Sequence, residues 1–172
     1  YEAVIGLEIH AQLNTKSKAF CADEVAFGAA ANTLVCPISL GHPGTLPVHN
    51  REAVNMAIML GLACDCDIRE YNTYDRKNYF YADLPKGYQI TQMDTPICNN
   101  GAVEITLPDG TTKSINLTRI HMEEDTGKGL HDLDIENTLM DYNRAGTPLV
   151  EIVTEPDFRS GDEAYAFLSE IR

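Results

Sequence analysis

The segment Val4–Leu13, VIGLEIHAQL, is the strongest constraint on how this 172-residue chain folds. Its residues alternate with a period of two, the signature of a β-strand. Ile5, Leu7, Ile9, Ala11 and Leu13 fall on one face, and Gly6, Glu8, His10 and Gln12 on the other. A solvated strand face carries Lys, Thr or isolated Glu. Here a carboxylate and an imidazole stand two residues apart, close enough for both to reach one ion. The polar face reads as the floor of a metal-dependent site.

The remaining elements follow from local signals. Three prolines and two glycines between Pro37 and Pro47 exclude a helix or a central strand there and predict a long loop. Phe20 and Phe27 are the expected anchors of the irregular stretch before it. Asn50 is a good N-cap, and Ala53, Val54, Ala57, Ile58, Leu60 and Leu62 recur at helical spacing, which predicts an amphipathic helix over 51–63. Met56 and Met59 border that apolar face, and Gly61 weakens its last turn. A short strand is expected over 67–71. Runs 102–107 and 113–122, joined by Pro108-Asp109-Gly110-Thr111, predict a β-hairpin. Strands follow over 138–143 and 149–154, and a capping box at Ser160–Glu163 opens a helix over 164–172. Few of these elements alternate in βαβ order. The fold class is therefore α+β, a largely antiparallel sheet flanked by helices.

Three further clusters carry chemistry. In Tyr74–Gln89, cations alternate with aromatic rings, a composition suited to phosphate and base contacts; a Tyr-rich strand pair with solvated charges is the plainer alternative. Glu123, Glu124 and Asp125 end the hairpin's second strand, where three successive acids repel unless a cation relieves them; a solvated turn would also accommodate them. Glu151 lies between Val150 and Ile152, so its carboxylate faces water or has a partner in a site.

A formal charge of −13 argues against bulk attraction to nucleic acid and is compatible with carboxylates clustered on a metal. No apolar run approaches the ~20 residues of a membrane helix, and the first residues lack the basic start of a signal peptide. The five cysteines, odd in number and irregular in spacing, read as reduced thiols of a cytosolic protein. No glycine-rich phosphate loop is present, so a bound nucleotide would rest on sheet side chains. The chain begins without Met and ends inside a helical pattern, which leads us to expect a fragment of a longer protein.

In their order along the chain, Gly6-Leu7-Glu8-Ile9-His10, Leu46-Pro47-Val48 with Asn50, Asp75–Tyr81, Pro85-Lys86 with Tyr88-Gln89-Ile90, His121–Asp125 with Gly127-Lys128, Asp141 with Asn143-Arg144, and Glu151–Val153 with Glu155-Pro156-Asp157 resemble the B-subunit family of the tRNA-dependent amidotransferases (GatCAB). The resemblance implies that residues 1–172 are the N-terminal part of a catalytic domain with the glutamine synthetase and guanidino kinase fold. It implies ATP and Mg2+ as cofactors and phosphorylation of the side-chain carboxylate of Glu-tRNA(Gln) or Asp-tRNA(Asn). Ammonia from a glutaminase A subunit then displaces phosphate, in a cytoplasmic or organellar heterotrimer with a C subunit.

Within that resemblance, the expected metal ligands are Glu8, His10 and Glu124, with Glu123 turned away by strand alternation unless a bulge intervenes. Magnesium prefers oxygen, so His10 admits manganese or zinc or binds through water. Lys77, Tyr79, Lys86 and Lys128 are the expected ATP and phosphate contacts. Asp141, Asn143, Arg144 and Glu151 are expected to hold the aminoacyl end, with Glu8, His10, Glu124 and Glu151 as the catalytic set. Some members carry cysteine pairs suited to structural zinc; here only Cys21 and Cys36 remain, Ser39 stands at a pairing position, and no structural zinc is expected. A non-catalytic tRNA-docking module, a metal-dependent hydrolase and the archaeal E subunit are the competing readings.

Overall fold

The computed structural model describes residues 1–172. Its centre is a long strand. The run after the Asp109-Gly110 turn continues for thirteen residues, Thr112–Glu124 (β7), without a Gly or Pro; its buried positions switch from Ile115 and Leu117 to Ile120 and Met122 where the register against its neighbour shifts. The first half of β7 pairs with Ala102–Thr106 (β6) as the predicted hairpin. The second half pairs with Pro148–Thr154 (β10), which pairs in turn with Glu8–Gln12 (β1). On its other edge β7 meets Cys98–Asn99 (β5), which pairs with Asp67–Ile68 (β2). The order β1–β10–β7–β5–β2 is antiparallel throughout. Two smaller two-stranded sheets, Asp75–Asn78 (β3) with Tyr88–Thr91 (β4) and Lys128–Leu130 (β8) with Leu139–Asp141 (β9), complete the strands. With helices Arg51–Ala63 (α1) and Gly161–Glu170 (α2), the architecture is α+β, largely antiparallel.

The apolar face of the sheet carries the core. Ile152, Ile120 and Cys98 lie in adjacent register positions with Ile9 beside them, and Val150 and Met122 form the next row with Ala11. Ala53 and Ala57 of α1 and Phe167 of α2 belong to this cluster. Phe158 meets Phe167 edge-on at 5.3 Å.

Both helix caps act as the sequence indicated. The Asn50 side chain accepts from the Glu52 and Ala53 amides, and Ser160 Oγ accepts from the Glu163 amide. Glu163 returns its bond to the Arg159 amide, one residue before the cap, and also pairs with Lys113. Three local expectations fail. Leu62 and Met59 are 64% and 68% exposed, on the outer side of α1. Phe27 is fully exposed and anchors nothing, whereas Phe20 is buried. The strand expected over 67–71 stops at Ile68, where its partner β5 ends.

Gly61 has a role beyond loosening the end of α1. A Cβ there would come within 2.7 Å of Ile68 Cδ1 and closer still to Cys98 Sγ. The helix therefore touches β2 and β5 at van der Waals distance only because Gly61 lacks a side chain. Gly61→Ala gains about 1 kcal/mol in helix propensity and loses about 1–3 kcal/mol to overpacking, so Tm is expected to fall by a few degrees. An unchanged Tm in a thermal melt would show that α1 can shift outward freely.

Candidate metal centre

The opposite face of the sheet is polar where β1, β10 and β7 lie side by side, and register sorts its side chains into three rows. His10, Glu151 and His121 form the middle row. On one side Gln12, Leu149 and Glu123 form the next; on the other, Glu8, Val153 and Arg119. Strand alternation places all nine on one face.

The middle of this face is a convergent cluster. His10 Nε2 lies 3.4 Å from Glu123 Oε2 and 3.4 Å from Glu151 Oε2. His121 Nε2 lies 3.2 Å from Glu123 Oε1 and 3.1 Å from Glu151 Oε2. Glu123, Glu151 and His121 are buried, while the His10 side chain remains 56% exposed and forms the mouth. Thr91 Oγ donates to Glu123 Oε1 at 2.7 Å, and Gln89 Nε2 approaches Glu123 Oε2 at 3.3 Å. These bonds attach the β3–β4 hairpin to the end of β7, together with the Gln89 Nε2 bond to the Glu124 carbonyl.

The electrostatics follow from these contacts. The hydrogen bond from His121 holds the Glu151 carboxyl well below its usual range, at about 2, against its own burial. Burial raises Glu123, but the bonds from His121 and Thr91 outweigh it and leave its pKa lowered. Burial lowers His121, and the two carboxylates more than offset this, so its pKa is raised. Arg119 Nε donates to His121 Nδ1 at 3.2 Å, a bond available only to the neutral imidazole with its proton on Nε2. The carboxylates' contribution to stability is present above about pH 4.5 and lost as the pH falls through their lowered folded values, about 2 for Glu151. That of His121 has the opposite sign: it is present below about pH 6.5 and lost as the pH rises through its raised folded value. In denaturant titrations, Glu151→Gln is therefore expected to flatten the acid limb of the stability curve. An acid limb as steep as that of the unaltered protein would place the responsible carboxylates elsewhere.

His10, Glu123 and Glu151 each offer one donor atom, all within 4.8 Å of one another. Two ionised, buried carboxylates and one imidazole, converging without a lysine or arginine between them, fit a divalent cation. The structure places two of the expected ligands, Glu124 and Glu8, outside this cluster. Glu124 points to the other side of β7, where it pairs with Lys86 and accepts from the Ile90 amide at 3.0 Å. Its partner in sequence, Glu123, occupies the cluster; alternation does separate the two, but it is Glu123 that shares a face with His10. Glu8 shares that face too, yet it is exposed and stands one row away, beside Val153. His121 was missed as a site residue, although the His121–Glu123 spacing repeats the two-residue carboxylate–imidazole signal of Glu8–His10.

The other candidates surround this centre. Lys77 stands across from Gln89 in the β3–β4 register, on the hairpin side that Gln89 turns toward Glu123. Burial, then Asp83, Glu123, Glu124 and Asp125, push the Tyr79 phenol up. Lys86 is engaged with Glu124, and its ammonium lies 5.3 Å from the Tyr88 ring centre. Lys128, Asp141, Asn143 and Arg144 line a groove with Gln12 and Phe27, beside the Glu123 row. Within it Asp141 Oδ1 accepts from the Asn32 and Asn143 amides, and Asn143 holds the Leu34 amide and the Ala30 carbonyl. Arg144 donates to the Thr126 and Gly127 carbonyls. These three residues build the groove wall.

A second donor cluster lies apart from the sheet face. Cys21, Asp23 and Cys36 each place a ligand atom within 4.8 Å of the others. Ser39 Oγ donates to Asp23 Oδ2 at 2.9 Å, and the fully buried Lys18 ammonium lies 3.8 Å from the same oxygen. Burial pushes the Cys21 thiol up to about 12, and all five cysteines are unpaired thiols.

Comparison with known proteins gives a consistent result. A sequence model described as the GatB/GatE catalytic domain matches residues 3–172. Three relatives, each named as the B subunit of aspartyl/glutamyl-tRNA(Asn/Gln) amidotransferase, come from Thermoanaerobacter pseudethanolicus, Caldicellulosiruptor saccharolyticus and Chlorobium chlorochromatii. They are 55%, 56% and 54% identical over the whole chain. The chain spans 36% of the length of each of them.

Proposed function

The chain belongs to the GatB/GatE catalytic-domain family, and from that premise we propose that it is the N-terminal part of the kinase and transamidase domain of a tRNA-dependent amidotransferase. In this reading the whole enzyme converts Glu-tRNA(Gln), Asp-tRNA(Asn) or both to the amidated form. It works in the cytoplasm with a glutaminase A subunit and a C subunit, on a domain of glutamine synthetase-like fold. The observation that carries the reading is the convergence of His10, Glu123 and Glu151 on one face of the sheet. A docking module without turnover would have no use for two ionised, buried carboxylates aimed at one point.

A carboxylate is a poor electrophile and needs a leaving group before an amine can replace its oxygen. Phosphorylation by ATP supplies it: the γ-phosphoryl group moves to the side-chain carboxylate and ADP leaves, then ammonia attacks the acyl carbon and phosphate departs. Mg2+, when bound, neutralises the repulsion between the polyphosphate and the anionic nucleophile. His10, Glu123 and Glu151 would hold it. His121 and Thr91 fix the two carboxylates in orientation, so that little reorganisation is needed on binding. Lys77 is the phosphate contact supplied by the β3–β4 hairpin, and Lys128 the cation of the groove that receives the aminoacyl end. Lys86 would reach phosphate only by leaving Glu124.

The test is ADP formation by the full-length protein assembled with its partner chains. It is expected only when Glu-tRNA(Gln) or Asp-tRNA(Asn) is present. ADP formation indifferent to charged tRNA, or none in a folded complex, would reject the reading. We also propose that no structural zinc is bound: Lys18 supplies positive charge beside Asp23, and only two thiols, Cys21 and Cys36, converge where tetrahedral zinc takes four ligands. Metal analysis of the purified protein is expected to give well under one zinc per chain. Stoichiometric zinc that disappears on Cys36→Ser would contradict this.

A further inference from the structure

The five free thiols fall into two groups. Cys64, Cys66 and Cys98 are buried in the main core, where a reagent reaches them only through local unfolding. Cys21 and Cys36 are half-buried, and their sulfurs lie within 4.8 Å of each other. They come from two different segments. Cys21 belongs to the irregular stretch after β1, and Cys36 opens the proline-rich loop over 37–47.

Bonds that do not involve sulfur hold these segments together. Ser39 Oγ accepts from the Cys36 amide at 2.9 Å and donates to Asp23 Oδ2 at 2.9 Å. The fully buried Lys18 ammonium donates to the Leu34 carbonyl at 2.6 Å and lies 3.8 Å from the same Asp23 oxygen. The Lys18 amide donates to the Asp23 carbonyl at 3.0 Å. Cys21 therefore sits in a turn closed by Lys18 and Asp23. Cys36 sits between Leu34 and Ser39, the two residues bonded to the side chains of that turn. The sulfurs stay close whether or not they react, so joining them costs little beyond the rotation of two side chains.

We propose that Cys21 and Cys36 form a thiol–disulfide switch, oxidised by low-molecular-weight disulfides such as that of glutathione. Burial pushes the Cys21 thiol up to about 12, so the first attack falls to Cys36. The Cys36 sulfur bonds to one sulfur of the reagent, and the other leaves as a thiol. Cys21 then attacks the Cys36 sulfur of the mixed disulfide, and the second thiol leaves. Each departing thiolate takes up the proton that the attacking thiol gave up. Two protein thiols are oxidised, and one reagent disulfide is reduced to two thiols. The product closes the 21–36 segment covalently and fixes the start of the 37–47 loop. That loop lies directly on Lys86, since a Cβ at Gly41 would come 3.0 Å from Lys86 Cα. The new bond thus acts on the Lys86–Glu124 corner, on the opposite side of β7 from the metal centre.

The test uses the full-length protein, reduced and assembled with its partner chains. It is incubated with glutathione disulfide, alkylated and digested with chymotrypsin. The Cys21–Phe27 peptide should be recovered bonded to the peptide that carries Cys36, and dithiothreitol should separate them. Cys64, Cys66 and Cys98 should be alkylated, and the pair should be lost about tenfold faster than any of these three. Cys21→Ser is expected to stop as a glutathione adduct on Cys36. Full alkylation of all five thiols after exposure, or a mixed disulfide that persists in the unaltered protein, would overturn the proposal. Either result would leave the proposed function intact, because charged-tRNA-dependent ADP formation is measured on the reduced protein.

Discussion

Replacing Glu151 with Gln is expected to lower charged-tRNA-dependent ADP formation by about a hundredfold or more, while the fold survives. Glu151 stands in the middle row between two histidines, its Oε2 3.4 Å from His10 and 3.1 Å from His121. Gln keeps the shape and can still accept the His121 proton, so the packing around this buried position is retained. What is removed is one of the two negative charges that the centre offers a cation. Losing a ligand that matters most when charge builds between phosphate and carboxylate weakens transition-state stabilisation by several kcal/mol, and each 1.36 kcal/mol is tenfold in rate. Glu8→Gln is the contrast. Glu8 lies on the same face but one row away and exposed, so its rate should change less than about fivefold. Steady-state ADP release with a thermal melt of each variant decides the matter. Equal losses in both, or a larger loss in Glu8→Gln, would return the ligand role to Glu8.

The largest stability effect is expected at Lys86. Its ammonium and the Glu124 carboxylate form an ion pair with side chains 8% and 4% exposed. Glu124 also accepts from the Ile90 amide, which ties β4 to β7. Lys86→Met leaves a carboxylate buried without its counter-charge, a change that costs about 3–5 kcal/mol. For a chain of this size that corresponds to a drop in Tm on the order of 10 °C. The double variant Lys86→Met with Glu124→Gln removes both charges and should recover most of the loss, because a buried pair contributes little beyond its own desolvation. A double variant as unstable as the single one would mean that the ammonium stem, and not the charge, supports this corner.

The alternation in Val4–Leu13 was sufficient to predict a two-faced strand with His10 on its polar side, and the structure retains that division. Period-two and period-3.6 patterns likewise marked β6, β7, β10 and α1, because each depends only on near neighbours in sequence. Which acids meet His10 depends on something else. The answer lies in the register of β1 against β10, and of β10 against β7, strands separated by more than a hundred residues for His10 and Glu123. A slip of one residue between β10 and β7 would bring Glu124 into the site and turn Glu123 out, and a slip between β1 and β10 would turn His10 away. The one local hint is the His121–Glu123 spacing, which repeats that of Glu8–His10. The same limit hid the work of Asp141 and Asn143: their bonds to the 30–34 segment are side chain to backbone across more than a hundred residues. Exposure of Phe27 and Leu62 was hidden for a related reason, since an apolar residue goes inside only where the tertiary fold offers a partner.

The account turns on which side chains hold the metal, and a spectroscopic measurement addresses that most directly. Mn2+ added to the full-length protein, followed by pulsed electron paramagnetic resonance, should show hyperfine coupling to one imidazole nitrogen. That coupling should vanish in His10→Gln and persist in His121→Gln, because the structure puts His10 Nε2 at the mouth of the carboxylate pair and His121 behind it as a hydrogen-bond donor. Coupling that survives in His10→Gln, or Mn2+ affinity unaffected by Glu123→Gln and Glu151→Gln, would place the metal elsewhere and contradict the account.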